Sequence, residues 1–148
     1  MPLFWTIDSR SRLILAKAEG EVSLPDARRL LGAVSGANAL SYRKLFDGRG
    51  ATWSMSDQDL LTLCVEVRSY HQRGPMGALA VVATPDQTLV FARLLGALAT
   101  ADRPMKVFEG LKQARRWIDD QPDLLANAST RATADVTANI QANGKADA

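Results

Sequence analysis

The chain holds one cysteine and one histidine in 148 residues, aromatics make up 6% of it, and its formal net charge is only +2. Each scarcity excludes something. With Cys64 alone no intramolecular disulfide can form, and a lone thiol suits a reducing compartment, so cytoplasm is the expected location. His71 alone cannot build a His-based metal centre. No cluster of His, Cys and carboxylates at ligand spacing accompanies it, so neither metal nor cofactor is expected. A charge of +2 leaves no nucleic-acid footprint. The basic residues come in scattered pairs, Arg28-Arg29, Arg43-Lys44 and Arg115-Arg116, and read as solvated helix faces and strand ends. Long apolar runs are missing too. None approaches the ~20 residues of a spanning helix, and Arg93 interrupts the most apolar stretch. The opening Met1-Pro2-Leu3-Phe4-Trp5-Thr6-Ile7-Asp8 reaches an acid before a secretory apolar core can form, so neither a transmembrane segment nor a signal peptide is expected.

What is present has the proportions of one soluble domain, with 47% hydrophobic and 23% charged residues. Three times a Ser or Thr opens an amphipathic run with an acid or amide three residues later: Ser23 with Asp26, Ser56 with Asp59, Thr84 with Gln87. Each is a capping-box pattern, in which a hydroxyl accepts from a backbone N–H and the later side chain reaches back. The helix after Ser23 carries Ala27, Leu30, Leu31 and Val34 on one stripe; the helix after Ser56 carries Leu60, Leu61, Cys64, Val67 and His71. Pro85 suits the first turn of the third helix, which turns Leu89, Ala92, Leu95 and Leu98 or Ala99 inward.

Strand patterns fall between these helices. Residues 3–8 and 12–19, separated by Ser9-Arg10-Ser11, predict an antiparallel hairpin, with a bend at Gly20. A third strand is expected over 43–47, ending at Asp47, followed by a loop over 48–55 in which Gly48-Arg49-Gly50 forms a turn. Residues 77–83, apolar on both faces, read as a central parallel strand. A last strand over 105–108 precedes a short helix burying Leu111, Ala114, Trp117 and Ile118. From 121 onward the composition turns to Ala, Asn, Thr and Asp, which buries too little surface to offset its ordering entropy. A domain over 1–120 and a flexible tail over 121–148 are therefore expected. The order β-β-α-β-α-β-α-β-α gives an α/β fold: a five-stranded mixed, mostly parallel sheet with helices on both faces.

Several stretches resemble the SpoIIAA-like family of small bacterial proteins, also described as STAS/SEC14 domains. They are Ala18-Glu19-Gly20-Glu21-Val22-Ser23, Lys44-Leu45-Phe46-Asp47 before a Ser-capped helix, and Lys106-Val107-Phe108 leading to Ala114-Arg115-Arg116-Trp117-Ile118. The resemblance covers residues 3–119 and implies a STAS-like sheet with a regulatory or binding role rather than catalysis. In related anti-sigma-factor antagonists a strand ends in Asp, and a Ser opening the next helix is phosphorylated by a partner kinase. The comparable stretch here runs from Asp47 to Ser54-Met55-Ser56-Asp57. Where those antagonists carry an Asp-Ser-Ser-Gly-Leu type motif, this chain has Ser56-Asp57-Gln58-Asp59 and no glycine.

The resulting expectation is a non-enzymatic regulatory or protein-interaction module. Its candidate phosphorylation or partner site is Ser56, Ser54, Asp47, Trp53 and Asp57, at the carboxyl ends of the strands where open α/β sheets bind. A phosphate on Ser56 would meet the unpaired N–H groups of a helix N-terminus, but Asp57 and Asp59 already occupy that turn, which favours a plain cap. Trp53 reads as a plug over the sheet. Cys64 and His71 lie two helical turns apart, ~10 Å, beyond a thiolate–imidazole bond, and read as packing residues. The alternative, implied by the SEC14 part of the resemblance, is a small apolar-ligand or lipid-binding protein with a site lined by Leu60, Cys64, Val67, Leu95 and Leu98. A homodimer through Val90, Phe91 and Leu94 is also expected, because that helix is apolar on more than one face.

Overall fold

The computed structural model describes residues 2–89 and 103–124. Five strands, β1 (Leu3–Asp8), β2 (Leu13–Val22), β3 (Arg43–Trp53), β4 (Leu79–Val82) and β5 (Met105–Phe108), form one sheet in sequential order. The β1–β2 pair is antiparallel and the other three pairs are parallel. Three helices are described at full length: α1 (Leu24–Gly36), α2 (Asp57–His71) and α3 (Leu111–Asp120). Residues 85–89 open a further helix. The expected α/β fold with a five-stranded mixed sheet is the one observed.

Sequential order has a consequence for coverage. Right-handed crossovers that always step the same way place their helices on one face of the sheet. There α1 and α2 pack together, tied by a forked Arg28–Glu66 ion pair at 2.7 Å. They close over Ile14, Phe46 and Val81 from the strands. The last helix, α3, turns to the other face and covers β3, β4 and β5, burying Ala114 and Ile118 against Leu13, Leu45, Ala80 and Val82. It does not extend across β1. Among the described residues nothing else covers the outward side of β1, and Phe4 is 54% exposed.

Three strands differ in extent from the expectation, β4 covering 79–82 rather than 77–83. β2 and β3 both run longer, pairing Glu19 with Gly50, Gly20 with Ala51, Glu21 with Thr52 and Val22 with Trp53 beyond a register shift between Lys17 and Glu19. Gly48-Arg49-Gly50 is thus strand rather than turn. Gly20, at φ +89°, absorbs the irregularity in a conformation that side chains rarely adopt. The side chain of Gln87 holds the extension from its far side, donating to the carbonyl of Ala51 at 2.9 Å. In α2 the buried stripe is Leu63, Cys64 and Val67, while Leu61 faces solvent. Leu61 lies about 100° around the helix from Leu60, at the edge of the stripe, and Leu63 replaces it.

In every capping pair the later side chain reaches back to the N–H of the cap residue, and at Ser56 the hydroxyl accepts as well, whereas the Ser23 hydroxyl donates to Asp26 at 2.7 Å. The Ser56 hydroxyl accepts from the Asp59 N–H at 3.1 Å, and the Ser56 N–H donates to the Asp59 carboxylate at 3.4 Å. The Ser23 N–H donates to Asp26 at 3.0 Å, and that of Thr84 to the Gln87 side chain at 3.0 Å. The Arg43-Lys44 pair is no solvated strand end. Arg43 clamps the last turn of α3, donating to the carbonyls of Asp119 at 3.1 Å and Ser11 at 2.8 Å. This is a cation where a helix terminus carries excess negative charge. Residues beyond α3 are held as well, with Arg12 paired to Asp123 at 2.7 Å. The remainder of the expected tail, and the Val90, Phe91 and Leu94 face expected to dimerise, lie outside the described residues.

Candidate functional site

Three regions are candidates for a site: the corner from Asp47 to Asp57, the outer face of the β1–β2 hairpin, and the interior between the helices and the sheet.

At the corner most of the candidate residues are engaged in holding the fold. Asp47 is buried, and Arg49 grips it through two guanidinium nitrogens at 2.9 and 2.8 Å. Those bonds hold its carboxyl below the usual carboxylate range, with burial opposing them. Ser54 donates its hydroxyl to the Val22 carbonyl at 3.1 Å, fastening the ends of β2 and β3. Trp53 turns inward against Phe46 at 6.2 Å between ring centroids and walls the interior cavity. Ser54, Ser56 and Asp57 are the exposed members, and the Ser56 hydroxyl is occupied as a cap. The five residues therefore share a corner but do not converge on a common point.

On the outer face, over β1, β2 and β3, lies a groove of about 540 Å³. Alternation along β1 turns Phe4 and Thr6 outward, and the same parity places Leu15 and Lys17 of β2 beside them. The first turn of α3 supplies the far wall with Leu111, Lys112 and Arg115. Phe4 and Leu111 (43% exposed) give the groove an apolar floor and wall open to water. Three cations, Lys17, Lys112 and Arg115, line it against one carboxylate, Asp47, which Arg49 already holds. Lys17 and Arg115 are balanced locally by Glu19 at 2.6 Å and Asp119 at 3.2 Å. Sequence reasoning passed over this groove. The available signal was that a sequentially ordered sheet with one terminal helix leaves half of one face bare.

The interior holds a cavity of about 190 Å³ between α1, α2 and the sheet, running from Val22 and Trp53 at the carboxyl ends of the strands to Lys44 and Arg103 at their amino ends. Its walls are almost wholly apolar, with Ile14, Leu30, Val34, Leu63 and Val81 among them. Of the expected apolar-ligand residues only Val67 lines it. Leu60 and Cys64 do not, and Leu95 and Leu98 lie outside the described residues. Burial pushes the Cys64 thiol up, away from the thiolate a nucleophile requires. Among the described residues no group of three His, Cys, Asp or Glu could hold a metal ion, and no helix is long and apolar enough to cross a membrane.

Lys44 and Arg103 are unusual occupants of such a wall. Both keep some accessible surface, as residues lining a void must, yet the protein packed around them depresses the Lys44 ammonium to about 7 and the Arg103 guanidinium to about 10. The Lys44 ammonium donates to the carbonyls of Leu40 at 2.6 Å and Tyr42 at 2.7 Å. Arg103 reaches the Gly77 carbonyl only at 3.5 Å, and its Nε is buried with no hydrogen-bond partner. His71 adjoins them: its Nε2 is likewise buried without a hydrogen-bond partner, and burial, then the charges of Arg103 and Lys44, lower its pKa.

Comparison with known proteins gives the fold and little more. The chain is similar in structure to an uncharacterised protein of the DUF3478 family with a SpoIIAA-like fold from Shewanella loihica PV-4, with a TM-score of 0.58 and 16% sequence identity over 78% of this chain and 93% of that one. No family model matches the chain, and no curated protein does. The fold is therefore SpoIIAA-like, as the resemblance of the sequence implied.

Proposed function

We propose that this chain is a non-enzymatic regulatory module that works by docking an acidic, partly apolar protein segment in the outer groove between the β1–β2 hairpin and α3. The observation that carries this reading is the groove itself, a half-sheet that none of the described residues covers, with Phe4 and Leu111 exposed and three cations to one carboxylate in its lining. Soluble domains seldom leave contiguous apolar surface of this kind open without a use for it. A segment lying across it would bury the two apolar side chains, the main source of affinity, while Lys17, Lys112 and Arg115 select for acidic neighbours and speed encounter. The groove also borders Asp47, so the reading keeps that one residue of the corner while moving the partner from Ser56 to the outer face.

Photocrosslinking tests it. A benzophenone side chain placed at position 4 in cells should give a discrete adduct with one protein. The adduct should weaken when Lys112 and Arg115 are both changed to Glu. The same probe at Ser69, on the exposed side of α2, should give none. Equal adducts from both positions, or none from position 4, would end the proposal.

A further inference from the structure

The interior cavity lies on the other face of the sheet from the groove and makes a separate case. Its chemistry is lopsided. Ionised side chains withdrawn from water are normally paired with an opposite charge, because an isolated buried ion is costly. Here Lys44 and Arg103 line one end of the cavity, with His71 near enough to sense both charges, and among the described residues no carboxylate pairs with any of the three. Unspent donors remain. Lys44 uses two of its three N–H groups on Leu40 and Tyr42, and the Nε of Arg103 is buried without a hydrogen-bond partner. The rest of the cavity offers apolar wall and almost nothing polar.

We propose that this cavity binds a small monocarboxylate, an acid with a medium aliphatic chain or a single aromatic ring, with its carboxylate between Lys44 and Arg103 and its apolar part directed toward Trp53. Size limits the class. A dry apolar cavity of about 150 Å³ takes up benzene, so one of about 190 Å³ suits a ligand of ten or so heavy atoms rather than a two-chain lipid. Charge limits it further. A carboxylate offers acceptor lone pairs in the plane that a guanidinium matches, and it returns to Lys44 the stability of its charged form that burial removes. A neutral alcohol of equal length would fill the same apolar volume and leave both cations unpaired.

That contrast is the experiment. Titration calorimetry of the unaltered protein with octanoate, octan-1-ol and octyl phosphate reads tail and head separately. Octanoate is expected to bind at least about tenfold more tightly than octan-1-ol, a gap of about 1.4 kcal/mol. In Lys44→Met and in Arg103→Met the two affinities should converge. Leu63→Trp, which fills the cavity from α2, should abolish binding of both while leaving the circular dichroism spectrum unchanged. Equal affinity for acid and alcohol, absence of binding by either, or tighter binding of octyl phosphate would each overturn the assignment. The first comparison uses no variant, so a variant that fails to fold does not remove the test.

Discussion

Stability should climb steeply with pH just above neutrality, and Lys44 should be the cause. In the folded protein its ammonium titrates at about 7, against 10.5 for a solvated lysine, because burial disfavours the charge. Between those values the unfolded chain holds a proton that the folded chain has released. Stability rises with pH wherever the unfolded state binds more protons. Integrated from pH 7 to pH 9, this one site adds about 2 kcal/mol, with a slope approaching 1.36 kcal/mol per pH unit at the upper end. The window isolates Lys44 well. His71, already lowered below 6.5, is largely neutral throughout, Arg103 begins to contribute only near 10, and the raised Cys64 thiol acts in the opposite sense above about 9. Urea unfolding of the wild type and of Lys44→Met, at half-unit pH steps with the m-value monitored, reads the difference directly. The wild-type curve should rise by about 2 kcal/mol relative to the variant. Parallel curves would show that Lys44 is solvated in the fold and would refute the reasoning.

Other perturbations follow from the same contacts. Ser56→Ala should cost about 1 kcal/mol in chemical denaturation, whereas Ser56→Asp, which keeps a capping acceptor, should lie within about 0.5 kcal/mol of wild type. A β-carbon on Gly77 would lie 2.2 Å from the backbone carbonyl of Tyr42, in the segment that anchors Lys44, so Gly77→Ala should lose about 3 kcal/mol; a change below about 1 would show that this junction can yield. Ile118→Ala, in the fully buried seam between α3 and the sheet, should cost about 2–5 kcal/mol, and Leu61→Ala on the open side of α2 less than about 0.5.

The sequence was most readable where local chemistry decides the structure. The Ser56 and Asp59 pair marks a helix start because both bonding partners lie within one turn, and the strand over 105–108 stands out by Val107 and Phe108 between the breakers Pro104 and Gly110. The parallel sheet followed from the alternation of such elements. What escaped reading depends on partners far along the chain. Gly48-Arg49-Gly50 has the composition of a turn, and it extends as strand only because β2 continues past Gly20 to pair with it and Gln87 braces its carbonyls. Lys44 shares parity with Phe46 and so points inward, yet a lysine beside an arginine at a strand start looks solvated until the helices are placed over it. Arg103 precedes β5 with no periodicity to mark its side chain as interior. The groove was illegible for a different reason: it is a property of topology, created by α1 and α2 crossing on one face while α3 on the other stops short of β1, and no local motif encodes an uncovered surface.

The docking of a partner on the outer face of the hairpin is tested most directly by amide chemical shifts. With the crosslinked partner identified, its interacting segment can be titrated into isotope-labelled protein. The account predicts that the largest changes fall on Phe4, Thr6 and Lys17 of the hairpin and on 111–115 at the start of α3, with Ser56 to Asp59 unmoved. Changes centred on Ser56 to Asp59, with the groove silent, would contradict it.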